Sequence, residues 1–185
     1  MTTTSLILII LAVIVVAALV WYVLRQQRSK KLRTHFGPEY DHAVRKFGGR
    51  TQAEEALAAR QKRMEKFHIH PLSAHERERF ADQWHNVQSQ FVDDPPGSIR
   101  EADRLVCDLM VARGYPMSDF ERRAEDLSVD YPVVVRNFRA AHAIALRHER
   151  NEASTEDLRQ GLVYYRDLFD ELLETHMAGF RGGRR

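Results

Sequence analysis

The stretch LILIILAVIVVAALVWYVL, residues 6–24, decides how this chain is organised, because its 19 residues include no charged side chain. At a rise of about 1.5 Å per residue, a helix of that length spans about 28 Å, close to the hydrocarbon thickness of a bilayer. Trp21 and Tyr22 stand near its end, and such rings are enriched where hydrocarbon meets lipid headgroups. The stretch predicts a transmembrane helix within an N-terminal segment of residues 1–24.

A cleaved signal peptide is the alternative interpretation of the same stretch. Such a peptide begins with a basic region, has a shorter apolar core and ends in small residues at the cleavage site. This chain begins MTTTS, and its apolar run ends close to Trp21 and Tyr22. These features favour a membrane span that is retained.

A cluster of basic residues follows the apolar run, whereas residues 1–24 contain no Lys or Arg. The cluster consists of Arg25, Arg28, Lys30, Lys31 and Arg33. Lys and Arg mark the cytoplasmic flank of a span, so we expect the N-terminus outside and the C-terminal body in the cytoplasm. The same residues are candidate contacts for lipid headgroups, at about 1 kcal/mol per cation near an anionic surface. The alternative is an orientation signal without lipid selectivity.

The charge of the soluble body differs from that of the two chain ends. Of the 28 Lys and Arg residues, five lie in residues 25–33 and three are Arg181, Arg184 and Arg185, and no acidic residue lies among residues 25–33 or 181–185. Residues 34–180 therefore hold 20 basic and 26 acidic residues, a formal charge of −6. An acidic body repels nucleic acid, so we predict no nucleic-acid partner.

Apolar residues at helical spacing recur through the body, and no alternating strand pattern of useful length appears between them. The clearest stripes are Phe80, Trp84, Val87, Phe91; Ala102, Leu105, Val106, Leu109, Met110; Val134, Phe138, Ala141, Ala145; and Leu158, Leu162, Tyr165, Phe169, Leu172. We predict an all-α protein in which the transmembrane helix is followed by a basic juxtamembrane and helical stalk (residues 25–71) and a small helical bundle (72–175). Residues 176–185 are predicted to form a disordered basic tail.

Helix starts are indicated where Ser or Thr is followed three residues later by an acidic residue, the spacing of a reciprocal capping box. Five such pairs are Thr51 with Glu54, Ser73 with Glu76, Ser98 with Glu101, Ser118 with Glu121, and, more weakly, Ser154 with Asp157. Gly114 is the predicted stop of the helix around Leu105.

The sequence contains no complete motif that is typical of a catalytic or metal-binding site. HERER (75–79) and HERNE (148–152) begin like the zinc-protease motif HExxH but lack its second histidine. His68, His70 and His75 could ligate Zn²⁺ if their rings converged, although scattered exposed histidines are the alternative. The single cysteine, Cys107, has no partner for an intramolecular disulfide. We therefore predict no catalytic, cofactor-binding or metal-ligating residue.

The segment GYPMSDFERRAEDLSVDYP, residues 114–132, interleaves aromatic and charged residues more densely than its surroundings. It is either a recognition surface or a connecting helix whose aromatic rings fill the core while its charges face water. His142, within the apolar run RAAHAIAL, is interpreted as a helix-packing residue rather than a catalytic base.

Several short stretches of the chain form a recognisable set: FGPEYD, HPLS, FVDDP, EADRLV, RGYP, DFERRAEDLSVDYP, RAAHAIA, NEASTEDLRQ and YYRDLFDELLE. Together they resemble a family of uncharacterised bacterial proteins that have one N-terminal span and a helical soluble domain. The resemblance covers about residues 28–174. It implies a bacterial membrane protein and carries over no catalytic residue.

Two functional hypotheses follow from these features. The first is a non-enzymatic, membrane-anchored interaction domain at the cytoplasmic face of the bacterial inner membrane, with the lipid bilayer and a protein partner or a second copy as partners. Tethering raises local concentration, so even a weak contact suffices for such a domain. The alternative is a ligand-binding, metal-binding or enzymatic helical domain whose acidic pocket includes Asp93, Asp94, Asp126 and Asp130.

Overall fold

The computed structural model describes the backbone of residues 3–174 and the side chains of residues 11–174. Within this part of the chain there are eight helices and no strand, which confirms the prediction of an all-α protein. The helices are α1 (Thr3–Phe36), α2 (Pro38–Phe47), α3 (Arg50–Met64), α4 (Ala74–Gln90), α5 (Pro95–Ala112), α6 (Phe120–Asp130), α7 (Val135–Glu149) and α8 (Thr155–Glu174).

Helix α1 is long and apolar enough to cross a membrane, and it lies near the N-terminus. The large apolar side chains from Leu11 to Leu24 are all 47–62 % exposed wherever the structure describes them. A helix that is apolar on every face requires an apolar environment around it, either a protein core or a bilayer. The residues that the structure describes supply no such core around this part of α1.

The chain divides into two compact units, Met1–Ala58 and Ala59–Arg185, with α3 running through the boundary. In the first unit, α2 is bounded by two glycines in the left-handed region of backbone conformation. Gly37 precedes it at a φ of 47°, and Gly48 ends it at a φ of 73° with its N–H bonded to the Val44 carbonyl. A side chain at either position would strain the backbone, so glycine permits these short reversals.

The second unit is a helical bundle with one apolar core. Helix α8 packs against α5 and α7, and α5 also packs against α4. The predicted stripes supply most of the core, and Trp84 of α4 stacks on Phe169 of α8 with the ring centroids 4.7 Å apart. The stripe residues that are only partly buried are Phe91, Val134, Ala145 and Leu162.

Two of the five predicted capping boxes are confirmed. Ser73 accepts from the N–H of Glu76 and the Glu76 carboxylate accepts from the N–H of Ser73, so each caps the other at the start of α4. Ser154 and Asp157 make the same reciprocal pair before α8.

The other three predicted pairs do not cap a helix, although helices begin close to Thr51 and Ser118. Thr51 lies inside α3, which begins at Arg50 directly after the Gly48–Gly49 turn. Ser98 lies inside α5, because Asp94 caps that helix through the N–H of Gly97 and Pro95 and Pro96 occupy its first turn. For α6 the cap is Asp119 rather than Ser118. At α5 and α6 an aspartate that precedes the helix takes the role, as Asp is at least as good a cap as Ser.

Gly114 stops α5 as predicted. Its φ is 88°, its N–H bonds the Val111 carbonyl, and the N–H of Tyr115 bonds the Met110 carbonyl. These two bonds form a Schellman motif, which satisfies carbonyls that the helix end would otherwise leave unpaired. The predicted boundaries at residues 24, 71 and 175 stay predictions, and the predicted disordered tail lies outside the described residues.

Candidate functional site

A groove of about 430 Å³ lies between α1 and the first half of α3, within the first unit. We call it the α1–α3 groove. It is lined by Trp21, Leu24, Arg25 and Arg28 from α1 and by Thr51, Glu54 and Glu55 from α3. The four α1 residues share one face of that helix, since positions three, four and seven apart stand above one another.

The α1 wall of the groove joins an aromatic ring to a cation. The Arg25 guanidinium stands 5.2 Å from the centroid of the Trp21 ring, within the range of a cation–π contact. Its Nη2 also donates to Thr51 Oγ1 at 2.9 Å. Because arginine has five N–H donors, these contacts leave others that could bind a ligand.

The α3 wall presents a fixed carboxylate. Glu54 Oε1 accepts from Ser29 Oγ at 2.6 Å and from Tyr40 Oη at 2.8 Å, so side chains of α1 and α2 hold it in place. Burial and the bond to Glu54 raise the pKa of Tyr40, which keeps its hydroxyl protonated and donating at neutral pH. Both bonds use Oε1 and leave Oε2 for other partners, while Glu55 beside it is exposed.

The structure separates the five predicted headgroup contacts into two groups. Arg25 and Arg28 line the groove, whereas Lys30, Lys31 and Arg33 are exposed outside it. Sequence reasoning missed Thr51, Glu54 and Glu55. The spacing of Thr51 and Glu54 predicts a helix cap, and no pattern in the sequence pairs these two residues with Arg25.

Polar groups inside the bundle are tied to one another across helices. Tyr165 Oη donates to Asp103 Oδ1 at 2.9 Å, and the Arg123 guanidinium contacts Cys107 Sγ. Burial and the nearby Asp103 raise the pKa of Cys107 to about 11, so its thiol is protonated and a poor nucleophile at neutral pH. These contacts connect α5 to α6 and α8 and assemble no activated nucleophile.

His142 packs against an aromatic ring, as its interpretation as a helix-packing residue predicts. Its ring stacks on Phe120 with centroids 3.6 Å apart, and Phe120 also contacts Phe138 of the core. Burial lowers the pKa of His142 because desolvation disfavours the imidazolium. In the 114–132 segment Tyr115 and Tyr131 are buried too, so its aromatic rings fill the core.

Two arginines near the end of α3 pair with carboxylates of α6 inside the second unit. Arg60, only 2 % exposed, donates to Glu125 Oε1 and to Ser128 Oγ, both at 3.2 Å. The Nε of Arg63 donates to Asp126 Oδ1 at 2.8 Å. Burial raises the pKa of Asp126 and the Arg63 guanidinium opposes that shift. Because each buried charge has a partner, the network holds the end of α3, from residue 59 onward, against α6.

The four carboxylates of the alternative acidic pocket have different surroundings. Asp126 pairs with Arg63, Asp130 accepts from Tyr115 Oη at 2.6 Å, and Asp94 caps α5. Asp93 is exposed in the turn after α4. Each of the first three therefore performs a structural task of its own.

The histidine group was the sequence's candidate metal site. The rings of His68 and His70 lie 6.4 Å apart, and the main chain of His70 is bonded to the Arg113 carbonyl through its N–H. Over the described range, no three His, Cys, Asp or Glu side chains are grouped closely enough to hold a metal ion.

A second groove, of about 400 Å³, lies between α4 and α5 in the bundle. We call it the α4–α5 groove. Its apolar residues are Phe80, Val111 and Ala112, and its polar residues are Arg79, Gln83 and Asp108. Val111 is 52 % exposed, whereas the other large apolar side chains of α5 are buried.

No protein-family model matches the chain, and neither a curated protein nor a solved structure matches it. The resemblance to a bacterial family that its motifs indicate therefore stays a prediction.

Proposed function

We propose that this chain is a membrane-anchored, non-enzymatic interaction domain of the bacterial inner membrane. The observation that carries the proposal is the exposure of α1, whose large apolar side chains from Leu11 to Leu24 are about half exposed or more. Transfer of such side chains from water to hydrocarbon stabilises the protein by about 25 cal/mol per Å². A bilayer provides that environment, and α1 has the length to cross it.

The proposed orientation places the helical bundle in the cytoplasm and the N-terminus outside. The basic residues from Arg25 to Arg33 flank the C-terminal side of the apolar run, whereas residues 1–24 contain no Lys or Arg. This asymmetry is the usual determinant of the orientation of a single span.

The α4–α5 groove is the proposed contact surface for a partner protein or for a second copy. Val111 offers an exposed apolar side chain, and Arg79 and Asp108 offer one charge of each sign beside it. A partner helix with an apolar side chain between two opposite charges would fit this pattern. Because tethering to the membrane raises the local concentration, the contact need not be strong.

A topology measurement tests the anchoring part of this proposal. Two reporters, one active in the cytoplasm and one in the periplasm, are fused in turn to the C-terminus of the full chain. We expect activity from the cytoplasmic reporter only. Activity of the periplasmic reporter would overturn the orientation, and recovery of the chain in the soluble fraction would overturn the anchor.

Photo-crosslinking in intact cells tests the interaction part. A photoreactive residue replaces Gln83 in the α4–α5 groove, and a matched control places it at the exposed Arg166 of α8. We expect a discrete adduct at position 83 that the Val111→Arg substitution removes. Equal or absent adducts at both positions would overturn the groove as the contact surface.

A thermal-shift measurement tests the ligand-binding alternative. A metabolite that raises the Tm of the full chain would favour that alternative.

A further inference from the structure

We propose that the α1–α3 groove binds the headgroup of a zwitterionic phospholipid that has a primary ammonium, of the phosphatidylethanolamine class. The lipid comes from the bilayer that α1 crosses, so this inference rests on the proposed membrane anchor. The groove holds two cations on one wall and two carboxylates on the other, and its volume of about 430 Å³ is ordinary for a small-ligand site.

The position of the groove along α1 corresponds to the headgroup layer. Trp21 and Leu24 belong to the last turn of the apolar run, and Arg25 and Arg28 follow them. Trp21 and Arg28 are seven residues apart, about 10 Å along a helix, which covers the step from hydrocarbon into headgroups on one side of a bilayer. A lipid lying here would place its glycerol end against Trp21 and Leu24.

The α1 wall supplies hydrogen-bond donors for a phosphate. Arg25 uses its Nη2 on Thr51, and its remaining N–H groups and those of Arg28 are suited to phosphate oxygens because guanidinium groups bind them through paired donors. The bond to Thr51 and the contact with the Trp21 ring hold Arg25 in place before a lipid arrives. Binding then costs little side-chain entropy.

The α3 wall supplies acceptors for an ammonium group. Ser29 and Tyr40 fix Glu54 through Oε1, which leaves Oε2 as an acceptor of fixed position. Glu55 adds a second carboxylate on the same wall. A primary ammonium donates three hydrogen bonds, and a quaternary choline donates none.

The mixed charge argues against an anionic headgroup. Phosphatidylglycerol would gain from Arg25 and Arg28 but would face the carboxylates of Glu54 and Glu55 without a cation to offer them. A headgroup with a phosphate and a primary ammonium uses both walls at once. The pattern therefore points to one class of lipid rather than to general attraction to a negative surface.

Quenching of Trp21 by brominated lipids tests the inference in the full chain. The Trp84→Phe substitution leaves Trp21 as the single tryptophan, since the chain has two. The protein is reconstituted in phosphatidylcholine vesicles that contain the same fraction of acyl-brominated phosphatidylethanolamine, phosphatidylglycerol or phosphatidylcholine. We expect about fivefold enrichment of phosphatidylethanolamine over phosphatidylcholine around Trp21, which corresponds to about 1 kcal/mol.

Matched variants separate the groove from its surroundings. Arg28→Gln and Glu55→Gln each remove one charge from the groove, and we expect either change to abolish the enrichment. Lys30→Gln removes the same charge outside the groove, and Glu65→Gln removes an exposed carboxylate of the second unit. We expect both controls to keep the enrichment.

Three results would overturn the inference. Equal quenching by all three lipids would show no selectivity, and stronger quenching by phosphatidylglycerol that survives Glu55→Gln would show attraction by basic charge alone. Loss of enrichment in the Lys30→Gln control would also show attraction by basic charge alone, since Lys30 lies outside the groove. Flotation of the vesicles distinguishes the two proposals, because protein that fails to float overturns the anchor as well, whereas protein that floats without selectivity overturns only the headgroup site.

Discussion

Arg113 Nη1 donates to the main-chain carbonyl oxygen of Leu172 at 2.8 Å, across 59 residues of sequence. The same nitrogen donates to Tyr131 Oη at 2.6 Å, and Arg113 Nε donates to the His70 carbonyl at 3.3 Å. Leu172 lies in the last turn of α8, where carbonyls lack helical partners and a cation is favoured. One buried guanidinium thus completes the end of α8 and joins it to two loops.

Replacement of Arg113 by Met is expected to lower the free energy of unfolding by about 2–3 kcal/mol, because it leaves buried acceptors unpaired. The measurement is urea unfolding of the full chain in detergent, followed by Trp84 fluorescence in a Trp21→Phe background. Arg113→Lys keeps a charged N–H donor but not the planar guanidinium that reaches several acceptors at once. We therefore expect a smaller loss in the free energy of unfolding. If Arg113→Met and Arg113→Lys lowered the free energy of unfolding equally, the hydrogen bonds that lysine can keep would not contribute to stability.

Gly114→Ala is expected to destabilise the bundle by more than the roughly 1 kcal/mol that a left-handed backbone alone costs. A methyl group at Gly114 would lie 2.5 Å from the main-chain carbonyl oxygen of His68, so backbone would have to move. Asparagine tolerates the left-handed region but also carries a Cβ. We expect Gly114→Asn to be nearly as damaging in the same unfolding experiment, and a mild effect would contradict the close approach.

Ser73 and Ser98 are expected to respond in opposite ways to alanine. Ser73→Ala removes a capping box and should cost about 1 kcal/mol. Ser98 Oγ is buried without a hydrogen-bond partner, so Ser98→Ala should be neutral or stabilising. Thermal unfolding of the two variants checks the pair, and a loss of stability in Ser98→Ala would contradict the assignment of Asp94 as the cap.

Ser73 and Ser98 both stand three residues before a glutamate, yet only Ser73 caps a helix. The fold could therefore be predicted from the sequence only in part. Helical periodicity located the apolar stripes because burial imposes it along the whole helix. A capping motif involves only a few side chains, and a nearby better cap overrides it. At α5 that cap is Asp94 followed by two prolines, which begin the helix a turn before Ser98.

Acidification is expected to weaken the bundle through His142. Burial lowers its folded pKa, whereas the unfolded chain binds a proton near the ordinary value of about 6.5. The stability it contributes is therefore complete above that value and is lost as the pH falls through the folded pKa. We expect His142→Leu to lose less stability than wild type between about pH 7.5 and 5. His85→Leu, an exposed control, should retain the wild-type slope.

The basic half of the candidate site was visible in the sequence, but its acidic half was not. Arg25 and Arg28 stand directly after an apolar run, so local composition identifies them. Thr51 lies 26 residues beyond Arg25, and two chain reversals at Gly37 and Gly48 bring it back to α1. Glycines indicate that the chain turns, but the direction of a turn depends on packing that local sequence does not encode.

Helix α1 continues without a break from its exposed apolar portion to the buried residues Leu32 and Phe36. Trp21, Arg25, Arg28, Leu32 and Phe36 fall on nearly one line along this helix, because each residue turns it by about 100°. Because the helix is continuous, the angle about its axis between the exposed apolar portion and the buried portion is fixed. One residue inserted between Arg25 and Arg28 would rotate the apolar portion by about a quarter turn relative to Leu32 and Phe36. Seven inserted residues would nearly restore the original angle. Natural length changes in this part of the chain should therefore come in whole turns.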